Sequence, residues 1–136
     1  MVKAPGPAAS APGMLLLDTS FLIELEDELA KRHPGAAIAL LAAHRRSAAA
    51  ISIITLGEFA EGFTDPQAFG EFIGRFRVLQ LSRGIAWRAA MMQGTLSHRL
   101  GENDAWIAAT ALAYGATLVA RDSAFARVPR LDYLAF

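Results

Sequence analysis

The sequence contains no cysteine, which excludes disulfide bonds, thiolate metal sites and a cysteine nucleophile. Lysine is also scarce, and none occurs after Lys31. The three histidines have no partner at the spacing of a metal site. Thirteen basic residues balance thirteen acidic ones, so the chain as a whole has no excess positive charge that would indicate nucleic-acid binding. A local basic patch would still be compatible with this balance. A metal site built only from oxygen donors would favour Mg²⁺ or Mn²⁺ over zinc or iron.

The sequence pattern also lacks a membrane segment. The charge-free stretch 105–120 is broken at Gly115 and changes there from a helical to a strand pattern, so we expect buried core. Residues 1–13 are mostly Ala, Pro, Gly and Ser with the single charge of Lys3, and they contain no apolar stretch typical of a signal peptide. We expect a flexible leader over 1–13, a single domain over 14–136, no membrane segment and a cytoplasmic location.

What the chain does contain is a regular alternation of strand-like and helix-like segments. Hydrophobic residues make up 54% of the sequence and charged residues 19%, as in a globular domain. The patterns predict strands over 14–17, 49–54, 76–81 and 117–120, with a fifth strand over 131–134 at the edge. They predict helices over 20–29, 34–46, 55–62, 66–74, 84–100 and 103–115, and the acidic run 24–28 is expected on a solvated helix face. Such alternation indicates an α/β fold with a parallel sheet and helices on both faces.

Four carboxylates occupy matching places in this pattern. Asp18, Glu58 and Asp122 each come just past a strand-like run, and Asp104 opens a helix. The carboxyl ends of parallel strands meet at one edge of a sheet, where ligands bind. The four acids are therefore expected to converge there.

Each acid also has a structural explanation, and taken singly that explanation is favoured. Asp18 and Asp122 fit helix N-caps, Glu58 fits a capping box that starts at Thr55, and Asp104 complements a helix dipole. Taken together, four clustered carboxylates repel one another unless a positive charge offsets them. One or two divalent cations would do so more fully than the nearby arginines, and metal binding is the better account.

Such a site would suit hydrolysis of a phosphodiester, because paired Mg²⁺ or Mn²⁺ ions activate water and stabilise the oxygens of an in-line displacement. A second hypothesis makes Asp18 the nucleophile of an aspartyl-phosphate phosphatase or receiver-like domain. That chemistry normally needs a late lysine, and the dehalogenase type needs a second aspartate where Ser20 stands. A third hypothesis is a non-catalytic interaction module whose acids are only caps.

The contexts of the four acids resemble the motifs of PIN-domain nucleases, and most closely those of VapC-like toxins from bacterial type II toxin–antitoxin systems. The matching segments are LLLDTSFLIEL (15–25), ISIITLGEFAEG (51–62), NDAWIAATA (103–111) and ATLVARDSAF (116–125). Their order and spacing cover nearly all of residues 14–136. The resemblance implies a PIN-like three-layer α/β/α sandwich with a central, mainly parallel sheet of four or five strands.

The resemblance also implies a function: an endoribonuclease toxin that uses Mg²⁺ or Mn²⁺, forms a homodimer and is inhibited by a cognate antitoxin. Asp18, Glu58, Asp104 and Asp122 would be the metal ligands, and the Ser20 hydroxyl would orient a ligand or a water. Ala120 departs from the family, which often has Thr or Ser there, so the role of Asp122 is the least secure. A stand-alone PIN nuclease in RNA processing is the alternative.

Substrate and dimer contacts are expected from other parts of the chain. Arg99, Arg121 and Arg127 lie beside the last two motifs, and arginines that project into a groove contact RNA phosphates. The apolar helices over 21–41 are the expected seam of the dimer.

Overall fold

The computed structural model describes residues 13–136, so the predicted leader lies outside the described residues apart from Gly13. Five strands alternate with six α-helices and a short 3₁₀ helix. The strands are β1 (Met14–Leu17), β2 (Ala48–Ser52), β3 (Arg77–Leu79), β4 (Thr117–Ala120) and β5 (Asp132–Ala135). The helices are α1 (Thr19–Lys31), α2 (Ala36–Ala43), α3 (Ile53–Ala60), α4 (Pro66–Ile73), α5 (Arg83–Thr95) and α6 (Glu102–Tyr114), and the 3₁₀ helix covers Ser123–Arg127.

The strands form one sheet in the order β3-β2-β1-β4-β5, and all four neighbouring pairs are parallel. The chain builds β2 and β3 on one side of β1, then crosses over to place β4 and β5 on the other side. This reversal makes the carboxyl end of β1 a topological switch point, where open α/β sheets bind ligands. The predicted parallel sheet is confirmed, and β5 is its fifth strand.

Helices cover both faces of the sheet, because neighbouring strand residues point to opposite sides. Leu16 and Leu118 pack on one side against α5, α6 and the 3₁₀ helix. Leu17 and Val119 pack on the other side against α1, α2, α3 and α4. The predicted three-layer α/β/α sandwich is therefore confirmed.

Two predicted helices are longer than the observed ones. The helix predicted over 84–100 ends at Thr95, because the buried Gln93 side chain bonds both the backbone N–H and the carbonyl of Leu100, each at 2.9 Å, and folds the next residues into a loop. The helix predicted over 34–46 is only Ala36–Ala43. The predicted end of α6 is confirmed, since Gly115 follows it with a φ of 62°.

Glu28 departs from the expected solvated face and is 4% exposed. Its carboxylate accepts hydrogen bonds from the backbone N–H groups of Gly35 (2.8 Å), Ala37 (3.0 Å) and Ile38 (2.9 Å). Burial raises the pKa of Glu28, but these bonds outweigh it and leave the pKa below its ordinary value. A side chain of α1 thus caps the start of α2, which the local sequence pattern did not indicate.

No helix within residues 13–136 combines the length and apolarity needed to cross a membrane.

Candidate functional site

Asp18 lies at the switch point of the sheet. It follows the buried strand β1, its backbone N–H bonds the carbonyl of Val119 at 3.0 Å, and its side chain is 9% exposed. It takes the N-cap position of α1 without making a side-chain capping bond, and the Ser20 hydroxyl donates to its Oδ2 at 3.3 Å. Burial raises the pKa of Asp18, and the charge of Glu58 raises it further. Hydrogen bonds from the backbone and from the Ser20 hydroxyl lower this pKa in part, but burial outweighs them.

Glu58 does not form the predicted capping box. Helix α3 begins at Ile53, earlier than expected, and its cap is Ser52, whose hydroxyl accepts from the Thr55 N–H at 3.0 Å. Glu58 therefore lies within the helix and reaches across the site. Its Oε1 accepts from the Thr19 hydroxyl at 2.6 Å, and its Oε2 accepts from the Asn103 side-chain amide at 2.9 Å.

Asp104 shows that the four acids share one region. It lies in the first turn of α6 and is half-buried. Burial is the largest cause that raises its pKa to about 6, and the charges of Asp18, Asp122 and Glu58 add to it. Because Coulomb repulsion falls with distance, Asp18, Asp122 and Glu58 each lie near Asp104.

Asp122 makes the structural contact expected of a cap. It is exposed, precedes the 3₁₀ helix, and its Oδ1 accepts from the Ala124 N–H at 2.9 Å. Since this bond occupies only part of its acceptor capacity, the cap does not exclude a second role.

The four carboxylates do not form a complete set of metal ligands in the described structure. Within residues 13–136, no group of three or more His, Asp or Glu side chains is arranged so that it could hold a metal ion. The donor chemistry nevertheless suits a hard divalent cation, because all four groups offer oxygen and two of them carry raised pKa values from burial and like charge. The residues fit such an ion in chemistry and charge, while the final ligand geometry would need side-chain adjustment.

Two of the three predicted phosphate-binding arginines have protein partners. Arg121 forms an exposed ion pair with Glu24 at 3.2 Å and lies over the Phe136 ring, 4.6 Å from its centroid. Arg127 donates to the carbonyl of His98 at 3.0 Å. Arg99 lines an open cavity of about 330 Å³ between α5 and the start of α6.

Three residues of the region were not singled out from the sequence. Thr19 and Asn103 both bond Glu58, and their positions next to Asp18 and Asp104 were the available signal. Tyr133 comes from the far end of the chain and donates to the Ala120 carbonyl at 3.3 Å. Burial raises its pKa, and Asp122 and Asp18 add to the shift. Nothing in the local sequence pairs Tyr133 with the acids.

One cavity adjoins the acids and another does not. A cavity of about 230 Å³ is lined by Thr19 and Glu58 together with Ile23, Phe59 and Phe63. A cavity of about 450 Å³, whose lining includes Trp87, Met91 and Arg130, contains none of the four acids. The first of these cavities therefore adjoins one of the four acids, Glu58.

Comparison with solved structures supports the fold. The chain is similar to VapBC2 from Rickettsia felis, bound to a DNA fragment from their promoter (TM-score 0.74, 23% identity, covering 90% of this chain and 98% of that one). It is similar to a toxin–antitoxin complex from Klebsiella pneumoniae (TM-score 0.71, 28% identity, 88% and 95% covered). It is also similar to VapBC-1 from nontypeable Haemophilus influenzae (TM-score 0.68, 23% identity, 90% and 97% covered).

Comparison of the sequence identifies the family. No curated protein matches the chain. The model of the PIN domain, however, matches residues 15–131, which include all four acids and nearly the whole described fold. The resemblance carried by the four motifs is thereby confirmed, and the chain belongs to the PIN domain family.

Proposed function

We propose that this protein is an endoribonuclease that acts as the toxin of a toxin–antitoxin pair. The single observation that carries the proposal is the placement of Glu58, which is hydrogen-bonded to Thr19 beside Asp18 and to Asn103 beside Asp104 in a PIN-domain chain. The charges of Asp18, Asp122 and Glu58 also help to raise the pKa of Asp104, as expected for acids from separate segments that lie near it. A site of this kind is built for Mg²⁺ or Mn²⁺.

The four carboxylates would hold the cations, with Asp18 at the centre because it follows the central strand. Bound Mg²⁺ or Mn²⁺ supplies a nucleophilic water at neutral pH and stabilises the charge that develops on the phosphoryl oxygens. The chain's own residues position these parts. Ser20 restrains Asp18 through its hydrogen bond, and burial around Asp18 limits competing water. The side chains expected to contact RNA phosphates are Arg99, Arg121 and Arg127. Arg121 would have to leave its ion pair with Glu24 in order to bind a phosphate.

The partners follow from the solved structures that share the fold. Those from Rickettsia felis and Haemophilus influenzae are VapBC assemblies, and that from Klebsiella pneumoniae is a toxin–antitoxin complex. We infer that this chain likewise binds a cognate antitoxin, forms a homodimer and meets its RNA in the cytoplasm. The similarity of fold supports an antitoxin as the partner, and the four acids support metal-dependent hydrolysis of RNA.

The test is expression of the wild type beside Asp18→Asn and Asp104→Asn, with purified protein assayed on RNA with and without Mg²⁺ or Mn²⁺. Asp65→Asn is the matched control, because Asp65 is an exposed helix cap and asparagine caps equally well. We expect growth arrest and metal-dependent cleavage from the wild type and the control, and neither from the two site variants. Equal toxicity in all four proteins would overturn the metal-nuclease mechanism. Cleavage by the wild type without growth arrest would favour a stand-alone PIN nuclease instead.

A further inference from the structure

Glu58 is held at both carboxylate oxygens by donors from two other helices. Thr19, the first residue of α1, donates at 2.6 Å, and Asn103, in the first turn of α6, donates at 2.9 Å. Thr19 directly follows Asp18, and Asn103 directly precedes Asp104. The two hydrogen bonds therefore tie Glu58 to the chain segments that carry two other acids of the site.

An acid in this position needs such support. Glu58 has a long, flexible side chain and is only half-buried, so it could turn toward solvent at little steric cost. The carboxylates of Asp18 and Asp104 repel that of Glu58. This repulsion contributes to the raised pKa of both aspartates. The Thr19 and Asn103 donors oppose both tendencies, since hydrogen bonds to an ionised group are among the stronger ones.

The same bonds leave Glu58 able to bind a cation. Each carboxylate oxygen has two lone pairs, and each Glu58 oxygen accepts one bond from the donors described above. A side chain that donates to a metal-binding carboxylate fixes its orientation, and loss of such a donor typically weakens metal affinity about 10–100-fold.

We propose that Thr19 and Asn103 are positioning residues that hold the Glu58 carboxylate beside Asp18 and Asp104 and thereby raise the affinity of the site for a divalent cation. This inference rests on the proposed function, because it takes the acids as the cation site. It assigns Glu58 a fixed place in the site through two residues that act on the cation by way of the Glu58 carboxylate.

The test is a Mn²⁺ titration of the full chain by isothermal calorimetry, which requires no RNA and no activity. Thr19→Val keeps the shape of the side chain and removes the hydroxyl, whereas Thr19→Ser keeps the hydroxyl. Asn103→Ala removes the second donor at an exposed position away from the core. Thr64→Val is the control, since Thr64 is an exposed threonine in the loop before α4. We expect Thr19→Val and Asn103→Ala each to weaken Mn²⁺ binding about 10-fold or more, and Thr19→Ser and Thr64→Val to stay within about 2-fold of the wild type.

A double-mutant cycle shows whether the donors act through Glu58. In a Glu58→Gln background we expect Thr19→Val to have little further effect on Mn²⁺ affinity, because the carboxylate it positions is gone. Circular dichroism confirms that each variant is folded. Wild-type affinity in both Thr19→Val and Asn103→Ala would overturn the inference, and so would losses that persist fully in the Glu58→Gln background. A wild type that binds no Mn²⁺ would instead overturn the proposed cation site, so the two failures are distinguishable.

Discussion

At the scale of single residues, the four acids have different surroundings despite their similar places in the sequence. Asp18 is buried and accepts a hydrogen bond from the Ser20 hydroxyl, and Glu58 is tied to two donors. Asp104 is half-buried among like charges, and Asp122 is an exposed cap. The sequence predicted the residue types and their order. It mistook the local role of Glu58, because the capping-box pattern beginning at Thr55 is matched by residues that already lie inside α3.

Asp104 makes a specific contribution to the pH dependence of stability. Its pKa is about 6 in the folded chain against an ordinary value of 3.8, so the folded chain binds this proton more tightly than the unfolded chain does. Its contribution to the free energy of unfolding therefore falls as the pH rises from about 4 to about 6. We expect metal-free Asp104→Asn to be more stable than the wild type at about pH 7.5, by about 1 kcal/mol after allowance for solvent screening.

The measurement is urea unfolding with a chelator present at about pH 4 and about pH 7.5, with the linear extrapolation applied at each pH. The advantage of Asp104→Asn should shrink at the lower pH, where the wild-type carboxyl is protonated in the folded chain and partly protonated in the unfolded chain. An advantage of the same size at both pH values would contradict the assigned electrostatic cause. Asp65→Asn serves again as the control, with no change expected at either pH.

At the scale of the elements, side chains from one segment decide where another begins or ends. Gln93 of α5 captures the backbone of Leu100 and ends the helix before its apolar pattern does. Glu28 of α1 binds the free N–H groups at the start of α2, where the N-cap residue is Gly35 and offers no side chain. Both contacts join residues seven or more positions apart, so hydrophobic periodicity within one segment gave no sign of them.

Glu28→Gln tests the link between α1 and α2. The amide keeps the size of the side chain but lacks the charge and one of the two acceptor oxygens, so we expect a loss of about 1–2 kcal/mol in the free energy of unfolding at about pH 7. The pKa of Glu28 lies below its ordinary value of 4.5, so its stabilising effect is complete above that pH and is lost as the pH falls through the lowered value. Urea unfolding of wild type and variant at several pH values is the measurement.

Glu26→Gln is the matched control on the same helix, because Glu26 is exposed. It should change stability by no more than about 0.5 kcal/mol. A deficit for Glu28→Gln that stays the same at every pH below 4.5, down to the onset of acid unfolding, would show that the effect comes from packing rather than from the ionised carboxylate.

At the scale of the whole molecule, the sheet order creates the site. Strand β1 stands between β2 and β4, so segments far apart in sequence meet where β1 ends. If these acids bind a cation, the ion joins α1, α3 and α6 and stabilises the entire fold. We expect Mn²⁺ to raise the free energy of unfolding of the wild type, by about 2.7 kcal/mol when the free ion is about 100 times its Kd.

Thermal unfolding across a Mn²⁺ titration measures this effect. The combined variant Asp18→Asn, Asp104→Asn should lose the dose dependence, because two of the four charges are removed. Asp65→Asn should retain it. A wild type whose midpoint does not move with Mn²⁺ would support the reading of the acids as caps alone.

The fold class, the four acids and the family resemblance can all be inferred from the amino-acid sequence. Alternating strand and helix patterns specify a parallel α/β sheet, since each local period is set by which faces the segment must bury. The motifs around Asp18, Glu58, Asp104 and Asp122 then sufficed for the PIN resemblance. Each of these features depends on a short stretch of sequence, so the sequence pattern of that stretch is sufficient to indicate it.

Only the tertiary structure decided how the acids are held. The donation from Thr19 and Asn103 to Glu58, the approach of Tyr133 to Ala120 and the burial of Glu28 all join segments that the sequence keeps apart. The raised pKa of Asp104 has the same origin, because burial and Coulomb repulsion depend on distance in space. The order of strands around β1 sets those distances, and that order is fixed by packing on both faces of the sheet.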